Sequence, residues 1–359
     1  MVIGQFWPNV ESETRAELQE QFLNISPGKW KRLQAVSDER GVIAALAIDQ
    51  RGALRSLFAK ATGVEPEAVP RPALEQFKEA VSRLLTPHAS AILLDPEYGL
   101  PAARQRAKNA GLLLAYEQTG YDKAKPGRFP HLLNGYSVDR LVAEGADCIK
   151  ILLYYSPFSQ SNINDQKHAW VQRIGAECAA SDVPFFLELV GYDDGMDEKS
   201  VEFARIKPEV TTRSMEEFSK PEYAVDVIKV GVPINMAFVG GTRSSPVSEV
   251  YNREEAIAHF VRAASSARKP FIYLSEGVSN EAFTEALELA AEARANFSGV
   301  LCGRATWKDG VAIFATKGIH ALEEWLANQG TKNIQDVNAR LSCATPWFEF
   351  YDDAPASAL

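Results

Sequence analysis

Short apolar runs rich in β-branched residues alternate with amphipathic stretches along most of the chain. The runs are VIAALAID (42–49), AILLD (91–95), LLLAYE (112–117), CIKILLYY (148–155), FFLELV (185–190), VIKVGVP (227–233), FIYLSEG (271–277) and GVLCGRA (299–305). Consecutive apolar positions in so short a run are the pattern of a strand covered on both faces. Between the runs, segments such as EQFKEAVSRLLTPHA, VDRLVAEGA, KHAWVQRIGAECAA and NEAFTEALELAAEAR repeat apolar residues at three- and four-residue spacing. That spacing gives a helix with one buried stripe. Eight strand–helix alternations in one series predict an α/β fold, a single (β/α)8 TIM barrel, in preference to an open sheet. No Gly- or Ser-rich linker divides the chain. The expected organisation is an N-terminal helical extension over 1–30, the barrel over 31–347 and a C-terminal tail over 348–359. The polar stretch 191–213 reads as a long loop followed by a helix.

In such a barrel, catalytic groups stand at the C-terminal ends of strands. Strand one ends in Asp49, followed by Gln50 and Arg51; strand two ends in Asp95 and strand three in Glu117. Strands four, five and six carry Lys150, Glu188 and Lys229, and strands seven and eight carry Ser275 and Arg304. Asp95 and Glu117 fit the barrel mouth, and equally fit bonds to backbone groups below it.

The two lysines narrow the chemistry. A lysine inside an apolar strand either points inward or lies at the rim with its stem on apolar surface. Desolvation and a neighbouring positive charge both lower an ammonium's pKa. The free amine that results is what attack on a ketone needs. Lys150, Lys229 and Glu188 converging in one mouth therefore point to iminium chemistry, with a rim salt bridge as the bland alternative for either lysine alone. Gly303 and Arg304, with Ser275 beside them, fall where barrel enzymes commonly hold a phosphate through backbone N–H groups and one basic side chain. Arg51 is a candidate for a second phosphate or the substrate's far end, and an ordinary salt bridge fits it as well.

Composition changes this picture little. A net charge of −9 over 359 residues argues against nucleic acid or an anionic membrane surface as partner. It leaves room for a local basic cleft. Cys148, Cys178, Cys302 and Cys343 form no closely spaced pair, so neither a zinc site nor a disulfide framework is expected, and a reduced, cytoplasmic protein is. No run approaches the roughly 20 apolar residues that span a bilayer. The five histidines do not cluster; Trp170, Trp307 and Trp325 read as packing residues, and Cys148 and Cys302 as small core residues.

The segments AIDQRGALRSL, AILLDPEYGLP, NAGLLLAYEQTGYD, CIKILLYY, NDQKHAWVQRIGAEC, PFFLELVGYD, DVIKVGVPINM, YLSEGVS and GVLCGRATW resemble, in order from about residue 30 to Trp347, the tagatose 1,6-bisphosphate aldolase family. These are class I, metal-independent Schiff-base aldolases built on a (β/α)8 barrel. The resemblance implies that Lys229 condenses with the C2 ketone of a ketose phosphate and that Glu188 moves protons during dehydration and C–C cleavage. It implies that Lys150 holds substrate oxygens and helps depress the pKa of Lys229. Asp49, with Gln50 beside it, would orient the C3 or C4 hydroxyl. Ser275, Gly303 and Arg304 would bind the phosphate of the dihydroxyacetone half. The products would be dihydroxyacetone phosphate and an aldehyde such as glyceraldehyde 3-phosphate, with no cofactor. Members usually carry a glutamate two residues after the Schiff-base lysine; here that position is Gly231, which predicts extra room and one negative charge fewer.

That departure keeps an aldolase or transaldolase acting on a sulfofructose (phosphate) as an alternative, and a catalytically silent sugar-phosphate sensor as one of another class. A barrel using Asp49, Asp95, Glu117 and Glu188 around Mg²⁺ would leave both in-strand lysines unexplained. Exposed helices and the N-terminal arm lead to the expectation of a homo-oligomer.

Overall fold

The computed structural model describes residues 24–118, 121–122, 125–243 and 249–351. Its strands are β1 (Ile43–Ala47), β2 (Ala91–Leu94), β3 (Gly111–Ala115), β4 (Cys148–Tyr155), β5 (Phe185–Gly191), β6 (Val227–Gly231), β7 (Phe271–Leu274) and β8 (Gly299–Cys302). They pair in parallel in chain order, and β8 returns to β1, closing the barrel. Most end a few residues before the apolar runs of the sequence do, because the last residues of those runs leave the ladder at the mouth.

The helices are α1 (Pro27–Ala35), α2 (Gly52–Thr62), α3 (Arg71–Leu85), α4 (Leu100–Gln105), α5 (Val138–Ala143), α6 (Ser161–Ala180) and α7 (Val201–Phe218). They continue with α8 (Arg253–Ser266), α9 (Asn280–Glu292), α10 (Arg304–Trp307), α11 (Gly310–Lys317), α12 (Ile319–Trp325) and α13 (Thr331–Asn338). The polar stretch after β5 does resolve into a loop and then a helix, α7, which runs to Phe218. Its start is set by Ser200, whose side chain accepts from the Phe203 N–H. Trp307 is fully buried and donates to the Ala47 carbonyl at 2.9 Å, tying the end of β8 to β1.

Two apolar layers form. The outer layer lies between strands and helices and includes Leu46, Ile92, Leu114, Ile149, Leu187 and Ile228. The inner layer fills the lower barrel with Ile43, Ala45, Leu93, Leu113, Cys148, Phe186, Val227, Ile272 and Leu301. It is closed from beneath by Trp30 of α1, whose ring meets Trp347 edge-on at 4.7 Å, and by Tyr351, which donates to the Asp226 carbonyl. Buried Lys29 pairs with Asp226 at 2.7 Å. Both expected segment boundaries thus run through packed elements: α1 crosses residue 30, and the 3-10 turn Trp347–Phe350 crosses 347. The reason is that Trp30 and Trp347 supply the barrel's floor. Residues 1–23 of the expected extension and 352–359 of the expected tail lie outside the described residues.

Closure depends on Gly299. Its φ is +136°, and a Cβ there would overlap the backbone of Ile43, its partner across the seam. Gly299→Ala should therefore cost about 3 kcal/mol or more, from backbone strain plus overpacking. Urea unfolding of the variant checks this, with a change below ~1 kcal/mol as the contrary result.

Candidate active site

The inner faces of three successive strands read apolar below and charged above. On β4 the pair is Cys148 and Lys150, on β5 Phe186 and Glu188, on β6 Val227 and Lys229. Alternation along a strand sends residues two apart to the same side. The apolar lower residues therefore pack the barrel while the charged ones project just above that packing. Asp49 follows Ala47 of β1, and Glu117 follows Ala115 of β3, by the same two-residue step.

These five side chains meet. Lys150 Nζ lies 2.9 Å from Asp49 Oδ2, 2.8 Å from Glu117 Oε1 and 2.8 Å from Glu188 Oε2. Lys229 Nζ donates to that same Glu188 oxygen at 2.8 Å. All five are buried, Lys150 completely. One carboxylate oxygen thus bridges two lysine nitrogens from flanking strands.

Burial alone would lower the Lys150 pKa, but Asp49, Glu117 and Glu188 outweigh it and hold the ammonium well above its ordinary value. Burial would raise Glu188 and Asp49, yet Lys150 first and Lys229 second keep both carboxyls below their usual range. Burial prevails at Glu117, whose carboxyl is pushed up in spite of Lys150 and Arg51. The mouth therefore holds a cation fixed by three carboxylates, with Asp49 and Glu188 held below their usual range and Glu117 above it. Such a set can take a proton from Lys229 and return it to a bound molecule.

The remaining predicted residues separate into two groups. Gln50 donates to Asp49 Oδ1 at 3.2 Å, and its own Oε1 is buried with no hydrogen-bond partner among the described residues. Arg51 is not an open cation for a second phosphate. It is buried, donating to Glu97 Oε2 at 2.9 Å and to the Glu117 carbonyl at 2.8 Å, because Glu97 on the loop after β2 reaches it. It secures the backbone of the residue that binds Lys150. Asp95 leaves the mouth as well: it is wholly buried, paired with Lys78 of α3 and accepting from the Tyr98 N–H.

At the other side of the mouth, Ser275 is buried beside Cys302, whose thiol burial pushes up to about 12. The Arg304 guanidinium lies over Gly277: a Cβ on that glycine would stand 2.5 Å from its Cζ. Gly303 backs onto the Ala47 carbonyl, with Gln50 Nε2 near by. Ser275, Gly303 and Arg304 thus share one corner.

Gly231 corrects an expectation. The extra room and the missing charge are not there, because the carboxylate of Glu276 occupies the place where a side chain on Gly231 would begin. Its Oε2 is 2.6 Å from Lys207 Nζ. Neither Glu276 nor Lys207 stands out in the sequence; the glycine beside Lys229 was the only signal. Lys167 of α6 does not stand out in the sequence either. Burial pushes its ammonium down to about 7, and it donates to the Tyr192 hydroxyl and the Tyr154 carbonyl.

Among the described residues no three His, Cys, Asp or Glu side chains group as a metal site; Asp49, Glu117 and Glu188 converge on the Lys150 ammonium instead. No helix of the described residues is long and apolar enough to cross a membrane.

Comparison with known proteins places the chain in a family. The DeoC/LacD family aldolase profile matches residues 43–309, from the first strand to just past the last. Tagatose 1,6-diphosphate aldolase 2 of Enterococcus faecalis is 51% identical over 328 residues, covering 91% of this chain and 97% of that protein. The tagatose 1,6-diphosphate aldolase of Staphylococcus aureus is 49% identical over 327 residues, covering 90% and 99%. Among solved structures, fructose-bisphosphate aldolase from Plasmodium falciparum superposes with a TM-score of 0.63 at 14% identity, covering 90% of this chain and 94% of that one, a likeness of fold. With its barrel, its buried lysine–carboxylate mouth and these relatives, the chain belongs to the DeoC/LacD aldolase family and is an aldolase, a carbon–carbon lyase.

Proposed function

We propose that this aldolase works through a Schiff base on Lys229 and cleaves a ketohexose 1,6-bisphosphate of the tagatose type. The observation that carries this reading is the single Glu188 oxygen held 2.8 Å from both Lys229 Nζ and Lys150 Nζ. Lys229 gives its proton to Glu188 and attacks the C2 carbonyl. The carbinolamine loses water, with Glu188 supplying the proton to the departing hydroxyl, and an iminium forms. Glu188, a carboxylate again after that step, takes the proton of the C4 hydroxyl; the C3–C4 bond breaks and its electron pair moves to the iminium, leaving an enamine and the free aldehyde. Protonation at C3 and hydrolysis then release dihydroxyacetone phosphate and restore Lys229.

Lys150 stays protonated throughout, so it cannot compete as nucleophile; its charge favours ionised Glu188 and oxyanions of the substrate. Asp49 and Gln50 orient the C3 and C4 hydroxyls, and Ser275, Gly303 and Arg304 hold the C1 phosphate. The substrate class follows the names of the relatives, tagatose 1,6-diphosphate aldolases. The room at Gly231 that favoured a sulfonated ketose or a silent sensor is filled by Glu276. Four free cysteines fit a reducing, cytoplasmic setting.

Cleavage of tagatose and fructose 1,6-bisphosphates and sulfofructose phosphate by the purified protein tests the substrate. Turnover of the first with loss of the last supports the reading, and the reverse order overturns it. Glu188→Gln removes the proton shuttle but keeps the side-chain shape. It should lower kcat by about 10²–10⁴-fold, the usual worth of positioned acid–base catalysis. A stopped-flow assay yielding less than about tenfold loss would remove Glu188 from that role.

A further inference from the structure

Glu276 has an unusual setting for a charged residue at the mouth. It directly follows Ser275, at the end of β7, and its φ of +48° is in the left-handed region that non-glycine residues rarely adopt. A residue persists there only where its surroundings hold it. Gly231 pairs with Leu274 across β6 and β7, so the turn after Leu274 passes directly over Gly231. The left-handed step sends the Glu276 carboxylate back over β6, into space that any side chain at 231 would take. There Lys207 of α7, itself buried, donates to Oε2 at 2.6 Å and to the Ile234 carbonyl at 3.2 Å. Gly277 comes next, at φ +81°, with the Arg304 guanidinium resting on it. A continuous chain of contacts thus runs from Lys207 through Glu276 and the turn to the arginine of the phosphate corner.

We infer that Glu276 is a positioning residue: seated in the room left by Gly231 and anchored by Lys207, it fixes the Ser275–Gly277 turn against Arg304 and so sets the affinity for the substrate's phosphate. This rests on the reading of that corner as the phosphate site. The carboxylate does not touch the reacting carbons, and its net charge is offset by Lys207, so its effect falls on binding and not on bond cleavage.

Three single variants break the chain at different points. Glu276→Gly removes the side chain while tolerating the left-handed backbone, Lys207→Met removes the anchor, and Gly231→Ala displaces the carboxylate. Each should raise the Kd for inorganic phosphate, measured by titration calorimetry, and the KM for tagatose 1,6-bisphosphate by about tenfold, with kcat lowered less than about threefold. Because they act through one device, pairs of them should be no worse than the single variants. Gly231→Ala in particular should cost nothing further once Glu276 is glycine. Unchanged phosphate affinity in Glu276→Gly overturns the inference, and so do losses that multiply between Gly231→Ala and Glu276→Gly. Glu276→Gln, nearly the same shape without the charge, guards against a folding defect: it too should weaken phosphate binding. Phosphate binding needs no Schiff base, so these outcomes are independent of covalent trapping on Lys229. If trapping fails in the wild type, the catalytic reading falls while the phosphate titrations still judge Glu276.

Discussion

Lys229→Met should lower kcat by about 10⁴-fold or more while leaving the fold intact. The size follows from the role: without the amine there is no electron sink for the C3–C4 bond, and the remaining groups can only bind and polarise the ketone. The retained stability follows from the geometry. Glu188, the partner of Lys229, also holds Lys150 at 2.8 Å, so methionine strands no carboxylate. It also restores an apolar stem above Val227, which packs in the inner core. A steady-state assay with a parallel thermal melt separates the two effects. Activity within about tenfold of wild type would exclude Lys229 as the nucleophile.

Lys150→Met should do the reverse, damaging fold and activity together. Three buried carboxylates, Asp49, Glu117 and Glu188, face that one ammonium. Removing one partner of a buried ion pair leaves uncompensated charge and costs about 3–5 kcal/mol. The loss depends on pH with a definite sign. In the wild type, Asp49 and Glu188 are held below their ordinary values of 3.8 and 4.5. Their contribution to stability is present above those values and is lost as pH falls through the lower folded ones. Without Lys150, burial raises the same carboxyls, so the folded variant takes up protons as pH falls and its deficit shrinks. Urea unfolding should show a larger gap between the two proteins at pH 7 than at pH 5. A gap that is constant or widens on acidification would mean that the carboxylates do not depend on Lys150.

The barrel was legible because its strands are covered on both faces, which makes each a short apolar run whatever the details of its helix. The convergence of charged side chains at the mouth was legible for a related reason. Lys150, Glu188 and Lys229 interrupt inner-face series that are otherwise apolar, and a charge is costly at such a position unless others meet it there. What escaped depends on contacts between segments far apart in sequence. Arg51 looks like a free cation until Glu97, from another loop, is seen to pair with it. Asp95 ends its strand as Asp49 does, but it is wholly buried against Lys78 of α3. The fate of Gly231 turned on a backbone angle at Glu276, which sequence patterning does not encode. The floor of the barrel needed Trp30 and Trp347 to meet across the whole length of the chain.

The nucleophile is one nitrogen among several buried lysines. Lys229, Lys150 and Lys167 all lie in or near the mouth-forming strands and α6, and burial has pushed Lys167 down to about 7, so a free amine alone does not identify the nucleophile. Borohydride reduction in the presence of dihydroxyacetone phosphate, followed by peptide mass spectrometry, distinguishes them. The predicted result is one stable adduct on Lys229, absent from Lys229→Met; an adduct on Lys150 or Lys167, or none at all, would contradict it.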